Sequence, residues 1–210
     1  MNRDLVEKLI PIKSFSEKLG LNLYKKEDRF KWFLASMLYA KRISYRIAEK
    51  TFRKFLEEGL SVPHNILKAG WNKLVEVLDA GGYVRYDFST ATNILESMKI
   101  LVEKYNGDID DIHLKAKDSR DLEKRLMEFR GVGPVAVNIF LRELRDIWDK
   151  ANPDPSSLAL MMEERLNLDR DETMEFESRL VRIAIEYCKK NKCDICPVRA
   201  YCKRWLYSRD

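Results

Sequence analysis

Four cysteines close the 210-residue chain in the order Cys188-x4-Cys193-x2-Cys196-x5-Cys202. Clustered thiols in a reducing compartment read as metal ligands before disulfides. Four thiolates can hold a [4Fe–4S] cluster or one Zn²⁺. A four-cysteine zinc site usually brings two Cys-x-x-Cys knuckles and here there is one, but spacing alone leaves both metals open. The loop is also basic, with Lys189, Lys190, Lys192, Arg199, Lys203 and Arg204. Those cations could meet nucleic-acid phosphates, or offset an anionic cluster and face water.

A second stretch with chemical potential is FRGVGPVAVNIFLREL, Phe129 to Leu144. Gly131-Val132-Gly133 reads as a tight turn between two helices. Two glycines admit positive φ and let the backbone approach a partner closely. Pro134 suits the first position of the following helix, where its missing N–H costs nothing. The turn and helix start leave N–H groups pointing outward with the helix dipole behind them, which is the chemistry of a phosphate site. Val132 is expected to tuck inward and tie the helices together. The alternative is a helix–helix corner with no ligand.

Helices must position these groups, and helical periodicity dominates the sequence. Phe30, Phe33, Leu34, Met37 and Leu38 make one apolar stripe, and Ala48, Phe52, Phe55 and Leu56 another. Ser89 reads as the N-cap of a helix that buries Ile94, Leu95, Met98, Leu101 and Val102 and stops at Asn106-Gly107. Leu122, Leu126 and Phe129 lead into the glycine turn, and Phe176, Leu180, Ala184 and Tyr187 mark the last long helix. Breaks fall at Gly59–Pro63, Gly81-Gly82, Asn106–Asp111 and Ala151–Ser157. The expected architecture is all-α, with about nine to eleven helices joined by short connections. His64 and His113 stand apart from these patterns and read as surface residues.

Hydrophobic residues make up 45% of the chain and charged residues 35%, a balance that suits a globular soluble protein with a real core. No apolar run approaches the ~20 residues needed to span a bilayer, so no membrane partner is expected. The N-terminus carries acids and a proline and does not read as a signal peptide, so a cytoplasmic location is expected by default. The net charge of +5 permits a polyanionic partner without establishing one. Abundant Lys and Glu with no glutamine lean towards a thermophilic, prokaryotic source.

The segment EFRGVGPVAVNIFL, from Glu128 to Leu141, resembles the helix-hairpin-helix of the base-excision DNA glycosylases, the superfamily of endonuclease III. The cysteine tail is similar to the iron–sulfur loop that closes endonuclease III, although that family has a longer first gap. KILVEKYNGDI and the chain length match as well, so the resemblance covers essentially the whole sequence. It implies a two-lobed helical fold: a central lobe over 26–138 ending in the hairpin, and a second lobe from 1–25 and 139–210 that carries the cluster loop 188–202, with a pocket between them. It implies a [4Fe–4S] cluster on Cys188, Cys193, Cys196 and Cys202, Zn²⁺ being the alternative. The implied partner is double-stranded DNA with a damaged or mismatched base, bound by a monomer near the nucleoid.

Residue roles follow from the same resemblance. The family's Schiff-base lysine falls at Val135, so strand cleavage by β-elimination is not expected. What remains is a monofunctional glycosylase that activates water. The family's essential aspartate matches Asp154, although the usual Thr-His after it is replaced by Pro155-Ser156. A plain structural role, with Asp154 as an N-cap and Pro155 at the first helical position, is compatible with that assignment. DNA contacts are implied at Gly131, Val132, Gly133, Pro134 and Val135, and at Tyr39, Lys41 and Arg42 in LYAKRIS, where relatives insert a glutamine. Tyr39 could equally complete the buried stripe. Tyr83 or Arg85, in GGYVRYD, is expected to supply an opposing wedge. The alternative function is a DNA-binding protein that senses lesions without cutting.

Overall fold

The computed structural model describes residues 3–206. These contain twelve α-helices, three short 3-10 turns and no strand, so the all-α expectation holds. The count exceeds the expected range because short helices are included. The breaks anticipated at Gly59–Pro63, Gly81-Gly82, Asn106–Asp111 and Ala151–Ser157 all separate helices.

The chain forms two compact units, residues 21–153 and residues 1–20 with 154–210. The sequence expectation put these boundaries after 25 and after 138. In the structure the chain beyond the hairpin stays packed in the first unit. Phe140 meets Phe33 edge-on at 5.4 Å and Trp148 at 5.5 Å. Its carbonyl accepts from Trp32 Nε1 at 3.1 Å. At the other end Leu21 and Leu23 are buried, and Arg29 Nη1 donates to the Leu23 carbonyl at 2.8 Å.

The unit of 21–153 holds α3 (Lys26–Tyr39), α4 (Tyr45–Glu57), α5 (Pro63–Gly81), α6 (Asp87–Tyr105), α7 (Asp110–Lys115), α8 (Ser119–Met127) and α9 (Pro134–Leu141). Its core runs through Trp32, Phe33, Phe52, Phe55, Phe129 and Phe140. Helix α6 starts three residues earlier than its sequence suggests. Ser89 is not its cap; its hydroxyl donates back to the Tyr86 carbonyl at 3.0 Å. Val102 lies 41% exposed, and the buried face turns through Ile94, Met98, Leu101 and Tyr105. Asn106 closes the helix in the left-handed region, as expected. Helices α4 and α5 approach so closely that a Cβ on Gly81 would lie 2.6 Å from Thr51 Cα.

His113 is not the solitary surface residue its sequence context suggested. Its ring stacks on Trp148 at 5.0 Å, and Nε2 is 2.7 Å from Asp149 Oδ1. That partnership holds the Asp149 carboxyl below its usual range. The indole covers the imidazole, so the side chain is only 14% exposed.

The other unit holds α1 (Arg3–Leu9), α2 (Phe15–Leu19), α10 (Ser157–Leu166), α11 (Arg170–Glu186) and α12 (Lys203–Leu206), with 3-10 turns at Cys188–Lys190, Cys193–Ile195 and Arg199–Tyr201. Phe176, Leu180, Ile183 and Ala184 of α11 pack with Leu5, Leu9, Met162, Leu166 and Val198 in one core. Helices α2 and α11 each open with a capping box, Ser14 with Glu17 and Asp169 with Glu172.

Candidate nucleic-acid interface

The hairpin forms as its sequence demands. Helix α8 ends at Met127, the Val132 N–H donates to the Phe129 carbonyl at 3.0 Å, and α9 begins at Pro134. Val132 is 5% exposed and joins the core between the two helices. The two glycines differ. Gly131 takes φ +76°, where an L side chain is strained, and a Cβ there would lie 2.5 Å from Asn93 Nδ2. Gly133 has φ −105° and ψ −175°, ordinary extended backbone, so the expected positive φ is confined to the first glycine. Nothing lies within 4 Å of a Cβ built on Gly133. Nothing within the protein therefore calls for glycine at 133. Helix α6 holds the turn from behind, with Ser97 Oγ donating to the Arg130 carbonyl at 3.0 Å.

Gly133 caps α9 without a side chain, and the first backbone bond of the helix runs from Val137 N–H to the Gly133 carbonyl. The earlier N–H groups of the helix precede that ladder and point out of its start. Gly131, Gly133, Pro134 and Val135 are all exposed. Val135, 60% exposed, carries no group able to attack a sugar. Exposed N–H groups at the positive end of a helix dipole have the chemistry of an anion site. Gly133→Asp should fold unchanged, since φ and space both admit the side chain. Its affinity for duplex DNA of any sequence should fall about tenfold or more as the carboxylate repels phosphate. Circular dichroism and fluorescence anisotropy read the two effects separately, and undiminished affinity would refute a phosphate contact here.

In the same unit, Tyr39 ends α3 half-buried, its ring 6.1 Å from Trp32. Arg42 is exposed and Lys41 half-buried on the loop that follows. Tyr83 is not available as a wedge. It is fully buried, and its hydroxyl donates to the Leu38 carbonyl at 2.6 Å. Burial pushes that phenol well above the ordinary tyrosine range. A phenol with a buried acceptor stays in the core, and its place at the loop surface falls to its neighbours. Val84 is 64% exposed, and the Arg85 guanidinium lies over the Tyr86 ring at 5.4 Å.

Asp154 lies exposed on the segment before α10. It is not the N-cap. Ser156 takes that position, its hydroxyl accepting from Ala159 N–H at 3.4 Å, so Pro155 precedes the cap instead of opening the helix. The Ser156 N–H donates to Oε1 of Glu177 at 2.8 Å. Glu177 is fully buried in α11, and sequence inspection passed over it. Its signal was positional, since Thr173, Glu177, Leu180 and Ala184 share one buried helix face.

The four cysteines are half-buried free thiols on the loop after α11. Cys188, Cys196 and Cys202 back onto the core of that unit. Burial pushes the Cys188 and Cys196 thiols up. Charge on Cys188, Cys193 or Cys202 would push Cys196 in the same direction. The Arg165 guanidinium beside Cys188 pulls the other way. Among the described residues no three His, Cys, Asp or Glu side chains form a ready site for a single metal ion. Lys203 of the basic loop donates to Asn167 Oδ1 at 2.8 Å, and Arg199 donates to the Asp194 carbonyl.

No protein-family model and no curated protein sequence matches the chain. Solved structures do. A non-covalent endonuclease III–DNA complex matches with a TM-score of 0.57 and 18% identity, over 86% of each chain. The fold is that of endonuclease III. A trapped endonuclease III–DNA covalent intermediate with an estranged adenine matches at a TM-score of 0.53 and 17% identity, over 85% of each chain. The endonuclease III fold here carries both sequence landmarks, the hairpin and the four-cysteine tail. No helix among the described residues is long and apolar enough to cross a membrane.

Proposed function

We propose that the chain is a base-excision DNA glycosylase. It grips the phosphate backbone of duplex DNA with the Gly131–Val135 hairpin, turns out a damaged or mispaired base, and hydrolyses the N-glycosidic bond. Gly133 carries this reading. A backbone kept bare where the protein itself leaves room for a side chain suits close approach of a ligand, and the fold is one whose relatives were solved on DNA. Lys41 and Arg42 supply further cations, Tyr39 an aromatic edge, and Arg85 with Val84 the candidate wedge. The Asp154 carboxylate stabilises positive charge developing on the sugar and orients the attacking water. With Val135 in place of an amine, the product is an intact abasic site.

The donor set of the C-terminal loop fits a metal group. Four free thiols lie on one short loop, burial pushes those of Cys188 and Cys196 up, and a bound cation would favour their thiolate form. Only one Cys-x-x-Cys pair, Cys193 with Cys196, is present where a four-cysteine zinc site usually brings two. We assign a [4Fe–4S] cluster to Cys188, Cys193, Cys196 and Cys202, where it would cross-link the loop. Anaerobically purified protein should contain close to four irons per chain, about one per thiolate ligand, and absorb near ~400 nm. One zinc and no iron would reverse the assignment.

A second reading, a lesion-sensing binder without catalysis, is favoured by the same Val135. A panel of duplexes, each with a single lesion or mismatch, separates the two. A glycosylase leaves abasic sites that break only after alkali or heat, and borohydride traps no covalent adduct. Tight binding with no excision anywhere in the panel selects the binder. Efficient trapping would reveal an amine nucleophile and end the water mechanism.

A further inference from the structure

Helices α2 and α11 satisfy their N-cap backbone N–H locally, through the glutamate at their third position. Helix α10 does not, because its third position is Ala159. The Ser156 N–H is instead taken by Glu177, 21 residues away and fully buried. Burying a carboxylate is costly, and Ala159 is itself fully buried, so no glutamate fits at that position to serve the N–H locally. What the remote partner adds is attachment of the segment before α10 to the core helix α11.

That segment holds Asp154. Between the Asp154 Cα and the Ser156 nitrogen only two backbone torsions turn freely, because the Pro155 ring fixes φ. A residue before proline is itself confined to extended conformations. Fixing the Ser156 nitrogen therefore fixes the direction in which the Asp154 side chain leaves the chain. We infer that Glu177 is a positioning residue for Asp154, acting through the Ser156 N–H. The inference rests on the reading of Asp154 as the catalytic carboxylate.

The test uses the full, metal-loaded chain and the best substrate of the duplex panel, with the single-turnover excision rate and DNA affinity measured separately. Glu177→Met removes the acceptor at similar volume and should slow excision about ten- to hundredfold, the cost of a misplaced catalytic group, while affinity changes less than about twofold. Glu177→Gln keeps an oxygen for the same N–H and should stay within about threefold of the parent rate. A Glu177→Met protein with the parent rate overturns the inference, as does equal loss in the Gln and Met variants. If Glu177→Met fails to fold, Ser156→Pro removes the donor at a residue whose φ is already −64°. Ser156→Ala removes only the hydroxyl cap, and equal rates in these two variants would also overturn the inference. Asp154→Asn is assayed in parallel. An active Asp154→Asn protein defeats the catalytic assignment itself. An inactive one beside a fully active Glu177→Met protein defeats only the positioning role.

Discussion

Asp154→Asn is expected to slow base excision by roughly two or more powers of ten, the loss of one electrostatic catalyst, while melting temperature and DNA affinity stay at parent values. The structure keeps this substitution apart from the helix cap. Because Ser156 and not Asp154 caps α10, the carboxylate can be neutralised without loosening the helix start. Asparagine preserves size and tolerates the extended backbone that Pro155 imposes. Excision is followed by alkaline strand cleavage under single turnover, and stability by thermal denaturation. Parent activity in the variant would move the carboxylate elsewhere, whereas a collapse in melting temperature would make Asp154 structural.

Gly81→Ala should produce the largest loss of stability from a single methyl group. The new Cβ would lie 2.6 Å from Thr51 Cα as well as against the Thr51 side chain, so no rotamer change relieves it and α4 must move from α5. Overpacking of this kind costs about 3 kcal/mol. For a chain of this size that lowers the melting temperature by about 6–12 °C. Thr51→Ala should not rescue the variant, because the clash includes the Thr51 backbone. An unchanged melting temperature, or full rescue, would show that the two helices have slack the structure does not contain.

Much of the scaffold was legible because its periodicity and punctuation are local. The stripe from Phe30 to Leu38, the asparagine stop at 106 and the proline start at 134 each depend on residues within a few positions, and each appears where the pattern put it. Errors arose where a distant partner decides. Tyr83 sits in a loop rich in glycine and charge, which looks like surface, yet the Leu38 carbonyl draws its hydroxyl inside. His113 stands between Asp111 and Lys115 in sequence, neither of which it pairs with, and it acquires Trp148 and Asp149 only through folding. Glu177 reads as one more acid in a charged helix until Ser156 claims it. The hairpin was readable as a turn, but only the structure separates its glycines, one required by the backbone and the other by nothing inside the protein.

The two compact units differ in continuity, and this sets an order of events during synthesis. Residues 21–153 form one uninterrupted stretch, which can close on itself while later codons are still being read. The other unit needs both ends. Leu5 and Leu9 share a core with Phe176, Leu180 and Val198, so α1 leaves the ribosome well before the residues it packs against. Until then its apolar face is a natural client for chaperones. The cysteine loop comes later still, and a stall in translation soon after residue 153 would release the hairpin unit without the unit that holds Asp154.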